Sequence, residues 1–162
     1  MPITHEPPGY ACPFCALAGG VLNGVNVPGD IVARTPAAMA FVAARWWPNN
    51  PGHVLVVPTV HHENLYDLPA AVGHAVHDLS RTIAVAMRAA YPCDGISVRQ
   101  NNEPTGSQTV WHYHVHVLPR HPDDNLYRSP PADTWTTAAD RLPYAAKLRK
   151  ALSGTPEDGP SE

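Results

Sequence analysis

Apolar residues recur along this chain in two rhythms, and the punctuation between them marks out the elements. From Asp30, DIVARTPAAMAFVAA holds two short apolar runs broken at Thr35-Pro36. Proline removes a ladder donor and restrains the residue before it, so the pattern predicts two strands joined as a hairpin. GHVLVVP, Gly52 to Pro58, is a branched run between turn residues and predicts a buried strand, preceded by the loop WWPNNPG. Beyond it Val72, Val76, Leu79, Ile83, Met87 and Ala90 fall at steps of three and four. That spacing predicts a long helix, capped by Asp67 and ending near Tyr91 before Pro92, with one face on a sheet.

The rhythm then returns to two. GISVRQN, Gly95 to Asn101, alternates as a strand, and WHYHVHVLP, Trp111 to Pro119, alternates again after the loop NEPTGSQ. These two are expected to pair antiparallel. After Arg120 the chain turns polar and proline-rich, and a weaker helical pattern spans Asp140 to Leu152. No internal repeat is found, and 162 residues suit a single domain with a real core.

Composition narrows the partners. Fourteen acidic residues against 11 basic ones leave no broad cationic surface, which argues against a nucleic-acid polymer and for a small partner. No apolar run approaches the roughly 20 residues that span a bilayer, and MPITHEPPGY lacks a basic region followed by an apolar one. A cytoplasmic protein with no membrane partner is expected. Three cysteines cannot form a complete disulfide framework, so Cys12 and Cys15 in CPFC point to metal or redox use. Redox is the weaker reading, because no convincing strand precedes the pair and no long helix follows it. Cys93 is expected to pack in the interior.

The densest chemistry lies in TVWHYHVHVLPRH, residues 109 to 121. Strand alternation puts His112, His114 and His116 on one face and Trp111, Tyr113, Val115 and Val117 on the other, where they join the core. Three buried unpaired imidazoles would be costly, so the histidine face is expected to be at least partly open. His112 and His116 would stand roughly 13 Å apart on a strand, too far to share one metal bound at about 2 Å. Two neighbouring histidines could share a metal, but a division of labour is more economical. The bland alternative is a solvent face that happens to carry histidines; the CxxC and a second histidine-bearing strand weigh against it.

HYHVHVL resembles the signature of the histidine-triad (HIT) family at every position: histidine, apolar, histidine, apolar, histidine and two apolar residues. PGHVLVVP at Pro51 to Pro58, HHENLYDL at His61 to Leu68 and SQTVWHYHVHVLPR at Ser107 to Arg120 stand in the family's order and spacing. The resemblance implies an α+β, HIT-like fold: about five antiparallel strands, one long helix and short helices, assembled as a homodimer. It places the HIT domain at residues 10–122, after a flexible lead at 1–9. A C-terminal extension, 123–152, would pack on or near the domain, and the tail 153–162 is expected to be disordered.

The resemblance also implies a reaction. His114 holds the position that attacks the α-phosphorus of a nucleotide and forms a nucleotidyl-histidine, its other nitrogen held by a backbone carbonyl of the same motif. A neutral imidazole is a competent nucleophile near pH 7. His116 would support the departing charge. His53, Asn101, Gln108 and Thr109 match positions near phosphate oxygens, with loop capping as the alternative for the last three. The expected activity is hydrolysis or transfer that releases a nucleoside monophosphate from a dinucleoside polyphosphate or a nucleoside phosphoramidate. A phosphorolytic phosphorylase of dinucleoside polyphosphates, a non-catalytic nucleotide- or partner-binding protein, and an open zinc hydrolase are the competing readings.

A subset of the family binds structural zinc, and Cys12, Cys15, His61 and His112 match its ligand set, with His62 as a substitute for His61. Four protein ligands would close the site, so the zinc is expected to be structural rather than catalytic; no organic cofactor is expected. Two departures bear on substrate. Ser107 stands where many relatives place glycine, and Arg45 where they place Asn or Asp against the ribose. Arginine cannot accept hydroxyl hydrogen bonds, so either the sugar is held otherwise or the substrate carries a further anionic group.

Overall fold

The computed structural model describes residues 3–22 and 24–154. A short helix α1 (Pro13–Ala18) leads through a 3-10 turn, Pro28–Asp30, to β1 (Ile31–Arg34), β2 (Ala38–Val42) and β3 (Val54–Pro58). The long helix α2 (Ala70–Ala90), β4 (Gly95–Gln100), β5 (Val115–Arg120) and α3 (Ala138–Ser153) complete the order. One five-stranded sheet runs β1-β2-β3-β5-β4, and every pair is antiparallel. The α+β architecture, the Thr35-Pro36 hairpin and the pairing of β4 with β5 are as the sequence predicts.

Both faces of the central strands are covered, which explains their unbroken apolar runs. Ala38, Ala40 and Val42 of β2 and Val54 and Val56 of β3 pack with Val76, Leu79, Ile83 and Met87 of α2. Tyr113, Val115 and Val117 join that core, as does Cys93. The alternate residues, Met39, Phe41, Leu55 and Val57, pack beneath Phe14 and Leu17 of α1. By the period of two, His53 falls on this second face.

Two expectations are corrected. Asp67 does not cap α2: Pro69 occupies that position without a side-chain bond, while the Asp67 carboxylate accepts from the Glu63 and Asn64 amides. The triad strand begins at Val115 rather than Trp111, because the Tyr113 amide donates to the His62 carbonyl, in the segment after β3, instead of a strand ladder. The histidine face is partly open: His112 and His114 are buried, His116 is partly exposed, and His114 and His116 line a cavity.

The segments on either side of the sheet are tied to this frame. Residues of the segment expected to be a flexible lead bond to Glu63, Thr4 through Oγ1 at 2.5 Å and His5 through its amide at 2.7 Å. Helix α3 opens on a capping box between Thr137 and Asp140 and packs on α2, β1 and β2. Its Arg141 donates to Asp30 at 2.9 Å, with both side chains essentially inaccessible. Of the expected tail, Ser153 belongs to α3 and Gly154 caps it; residues 155–162 lie outside the described ones. Among the described residues no helix is long and apolar enough to cross a membrane.

Candidate active site and metal cluster

Sheet register assembles the site. Phe41 of β2 faces Leu55 of β3, Leu55 faces His116 of β5, and His116 faces Arg99 of β4. These four side chains form one row across four strands, on the face opposite α2. At the end of the row that carries His116 and Arg99 the face opens into a cavity of about 740 Å³, also lined by His114 and His53. α1 supplies one wall through Phe14 and Leu17. The segment after β5 supplies another through Leu126, Tyr127 and Trp135.

That second wall is fixed to the loop after β2. The Ala132 amide donates to the Trp46 carbonyl at 2.8 Å, and the Thr136 amide to the Ala44 carbonyl at 2.8 Å. Trp47 Nε1 donates to the Ser129 carbonyl at 3.1 Å. Asp124 anchors the start of the segment by accepting from Arg120, Asn50 and the His121 and Leu126 amides, which holds its carboxyl well below the usual range.

Within the cavity the histidines are ordered by their neighbours. His114 Nδ1 lies 2.7 Å from the His112 carbonyl. A carbonyl only accepts, so Nδ1 carries the proton and Nε2 keeps the lone pair. The His116 ring lies 5.1 Å away, and stacks on His53 at 5.5 Å. Burial lowers the pKa of His114. Burial, then the neighbouring His114, His53 and Arg99, takes His116 well below its ordinary value. His53 is pushed down to about 3 by burial and then by Arg99 and His114. All three imidazoles are therefore neutral near pH 7, which is the form a nitrogen nucleophile needs.

The other candidates divide. Asn101, Thr109 and Arg45 line the cavity. Arg45 sits at its rim, with Nε donating to the Ala132 carbonyl at 2.8 Å, so part of its guanidinium braces the second wall. Gln108 does not line the cavity: its amide accepts from the Glu103 N–H and donates to the Glu63 and Val110 carbonyls. It ties the loop before the triad together, the capping alternative rather than a phosphate contact. Ser107 has φ of 71°, the left-handed backbone that glycine adopts without strain.

Cys12, Cys15, His61 and His112 converge separately, with their ligand atoms all within 4.8 Å of one another. Cys12 Sγ lies 3.3 Å from His112 Nδ1, and Cys15 Sγ 3.4 Å from His61 Nδ1 and 3.5 Å from His112 Nδ1. Zinc bonds of ~2.3 Å to sulfur and ~2.0 Å to nitrogen around a tetrahedral centre imply S···N edges of roughly 3.5 Å, so the donor set fits that ion. Each imidazole is oriented from behind: His112 Nε2 meets the Pro58 carbonyl at 3.0 Å, and His61 Nε2 the Glu6 carboxylate at 2.7 Å. His62 is not in the cluster.

Sequence reading missed Arg99, Trp47 and Phe14. Arg99 was hidden in an ordinary alternating strand, and only its register against His116 reveals it. Trp47 lay in a segment read as plain loop. Phe14, between the two cysteines, meets the His112 and His114 rings edge-on at 5.7 and 5.6 Å.

Comparison with known proteins agrees with this geometry. The family model for the HIT domain matches residues 25–123. An uncharacterized HIT-like protein from Saccharolobus solfataricus is 32% identical over 108 residues, 67% of this chain and 73% of that protein. The crystal structure of a Zn-bound histidine triad family protein from Mycobacterium smegmatis superposes with a TM-score of 0.71 at 27% identity, covering 88% of this chain and 94% of that one. Two relatives bear the names of activities. Adenylylsulfatase HINT3 from Arabidopsis thaliana is 26% identical over 113 residues, 68% of this chain and 57% of that protein. Adenosine 5'-monophosphoramidase HNT1 from Saccharomyces cerevisiae is 28% identical over 110 residues, 68% of this chain and 63% of that protein.

Proposed function

The chain belongs to the histidine-triad (HIT) family, and on that premise we propose that it is a nucleotidyl hydrolase or transferase acting through a nucleotidyl-His114 intermediate. The observation that carries the reading is the 2.7 Å contact of His114 Nδ1 with the His112 carbonyl, which leaves Nε2 free on the cavity. Nε2 attacks the α-phosphorus; a bond from phosphorus to the leaving group breaks as the Nε2–P bond forms. The phosphorylated ring keeps its Nδ1 proton against the carbonyl. Water then attacks phosphorus, the Nε2–P bond breaks, a nucleoside monophosphate departs and one water proton is released.

His116, 5.1 Å from His114, faces the phosphate and supports the charge of departure. His53, Asn101 and Thr109 surround the phosphate oxygens, and Arg45 stands at the rim near the sugar. Substrates are nucleoside monophosphoryl derivatives, dinucleoside polyphosphates or phosphoramidates. The activities named for the plant and yeast relatives favour catalysis over idle binding.

Zinc held by Cys12, Cys15, His61 and His112 is structural in this reading, since four protein ligands fill a tetrahedron. When bound it neutralises the thiolates and fixes α1 against the triad. Without that cation, burial and the neighbouring Cys12 push the Cys15 thiol up to about 12. The unpaired edge of β4, with Val98 exposed, suits a second copy of the chain. Cysteines outside any disulfide, and chemistry at neutral pH, fit a cytoplasmic setting.

The test is intact mass after mixing with adenosine and guanosine phosphoanhydrides and phosphoramidates. An acid-labile nucleotidyl adduct is expected in the native chain and absent in His114→Ala. No adduct and no turnover with any substrate would mark the chain as a binding protein instead.

A further inference from the structure

Arg99 brings a charge to the histidine cavity. The β4–β5 register sets it opposite His116, and its guanidinium carbon lies 4.7 Å from the centroid of the Trp47 ring. That stacking holds the cation in place without neutralising it. Trp47 also meets His53 and His116, with centroids 5.5 and 5.9 Å away. Among the described residues no carboxylate pairs with Arg99. Its Nε is buried and lacks a hydrogen-bond partner, as do His53 Nδ1 and His116 Nδ1. Arg99 lines the cavity together with His53 and His116, so a permanent cation stands in its wall, which describes a place for an anion.

This place lies on one side of His114. His116, His53, Trp47 and Arg99 gather there, while Phe14 meets the His114 ring as well as that of His112, a member of the metal cluster. We infer that Arg99 selects substrates whose leaving group is an anion, so that nucleoside phosphoanhydrides are cleaved in preference to phosphoramidates. The inference rests on the nucleotidyl-histidine reading above. When a phosphoanhydride reacts, the P–O bond breaks and its electron pair departs on oxygen. Negative charge therefore grows beside His116 and Arg99. A guanidinium stays protonated across the working pH range and offers two parallel donors to a phosphate. An amine leaving group takes up a proton with its electron pair and departs neutral or cationic, and a fixed cation gives it no help.

The test compares kcat/KM of the native chain, Arg99→Gln and Arg99→Lys on diadenosine triphosphate and on adenosine 5'-phosphoramidate. Because both substrates meet the same protein preparation, any loss of folded protein cancels in the ratio. Arg99→Gln is expected to lower the triphosphate-to-phosphoramidate ratio about 100-fold, as for loss of one transition-state donor, and Arg99→Lys to restore part of it. An unchanged ratio in Arg99→Gln overturns the inference. A native chain that turns over neither substrate overturns the reading beneath it, and the inference with it.

Discussion

Phe14 meets His114 edge-on, ring centroids 5.6 Å apart, although 99 residues separate them and Phe14 is flanked by Cys12 and Cys15. The Cys/His cluster thereby ties a wall of the cavity to His114, the nucleophile of the proposed reaction. One zinc per chain is expected on elemental analysis. Chelation, or Cys12→Ser, is expected to lower stability by several kcal/mol, since structural zinc contributes folding free energy directly. Adduct formation at His114 should then fall in parallel with the melting temperature. Activity lost at once with an unchanged melting curve would assign the ion to catalysis instead.

The Asp30–Arg141 pair predicts a large cost from a single change. Both side chains are buried, and Arg141 also donates to the Val25 and Thr136 carbonyls. Arg141→Met strands a buried carboxylate, which costs about 3–5 kcal/mol. Pairing it with Asp30→Asn should recover part of the loss. Urea unfolding of the two singles and the double gives the coupling directly.

Ser107 predicts a gain. A non-glycine residue at φ of 71° bears backbone strain, and its side chain stands at the cavity lining. Ser107→Gly should stabilise the chain by about 0.5–1 kcal/mol, the relief of the left-handed strain less the added freedom of the unfolded chain. A loss of stability would mean that the serine side chain matters more than the backbone.

Acid should weaken the fold through His53. Its imidazole is held at about 3 in the folded chain, against 6.5 as the ordinary value. Between those limits the unfolded chain binds the extra proton. Stability is therefore full above pH 6.5 and is lost as pH falls below it, at up to about 1.4 kcal/mol per unit for this one group. His116, lowered in the same direction, adds to the slope. Urea midpoints measured from pH 7.5 to 5 should fall, and His53→Gln should flatten that fall.

How much of this was legible beforehand follows from the range of each signal. The β-strands, the long helix and the triad are local patterns, and their periods survive in the fold. The four metal-cluster residues required a family pattern, because Cys12 and His112 lie 100 positions apart and neither predicts the other. Arg99 was invisible because a charged residue in an edge strand ordinarily faces water; register turned it inward. Asp67 misled because an acidic residue before a helix suits a cap and a turn equally, and here it caps the turn. The openness expected of the histidine face is confined to the cavity side, at His114 and His116. Unpaired imidazoles are costly to bury, but His112 has the sulfurs and Pro58, and His114 has the His112 carbonyl.

The hold of Arg141 on Asp30 has a further consequence, in time. A ribosome makes residue 30 long before residue 141, and the cavity wall from Leu126 to Trp135 lies between β5 and the helix that closes that pair. The histidines are thus synthesised before the wall that encloses them, and the nascent sheet must wait with one side of its pocket open. Folding of this chain should finish only after α3 has cleared the exit tunnel, as the last and longest-range contacts close.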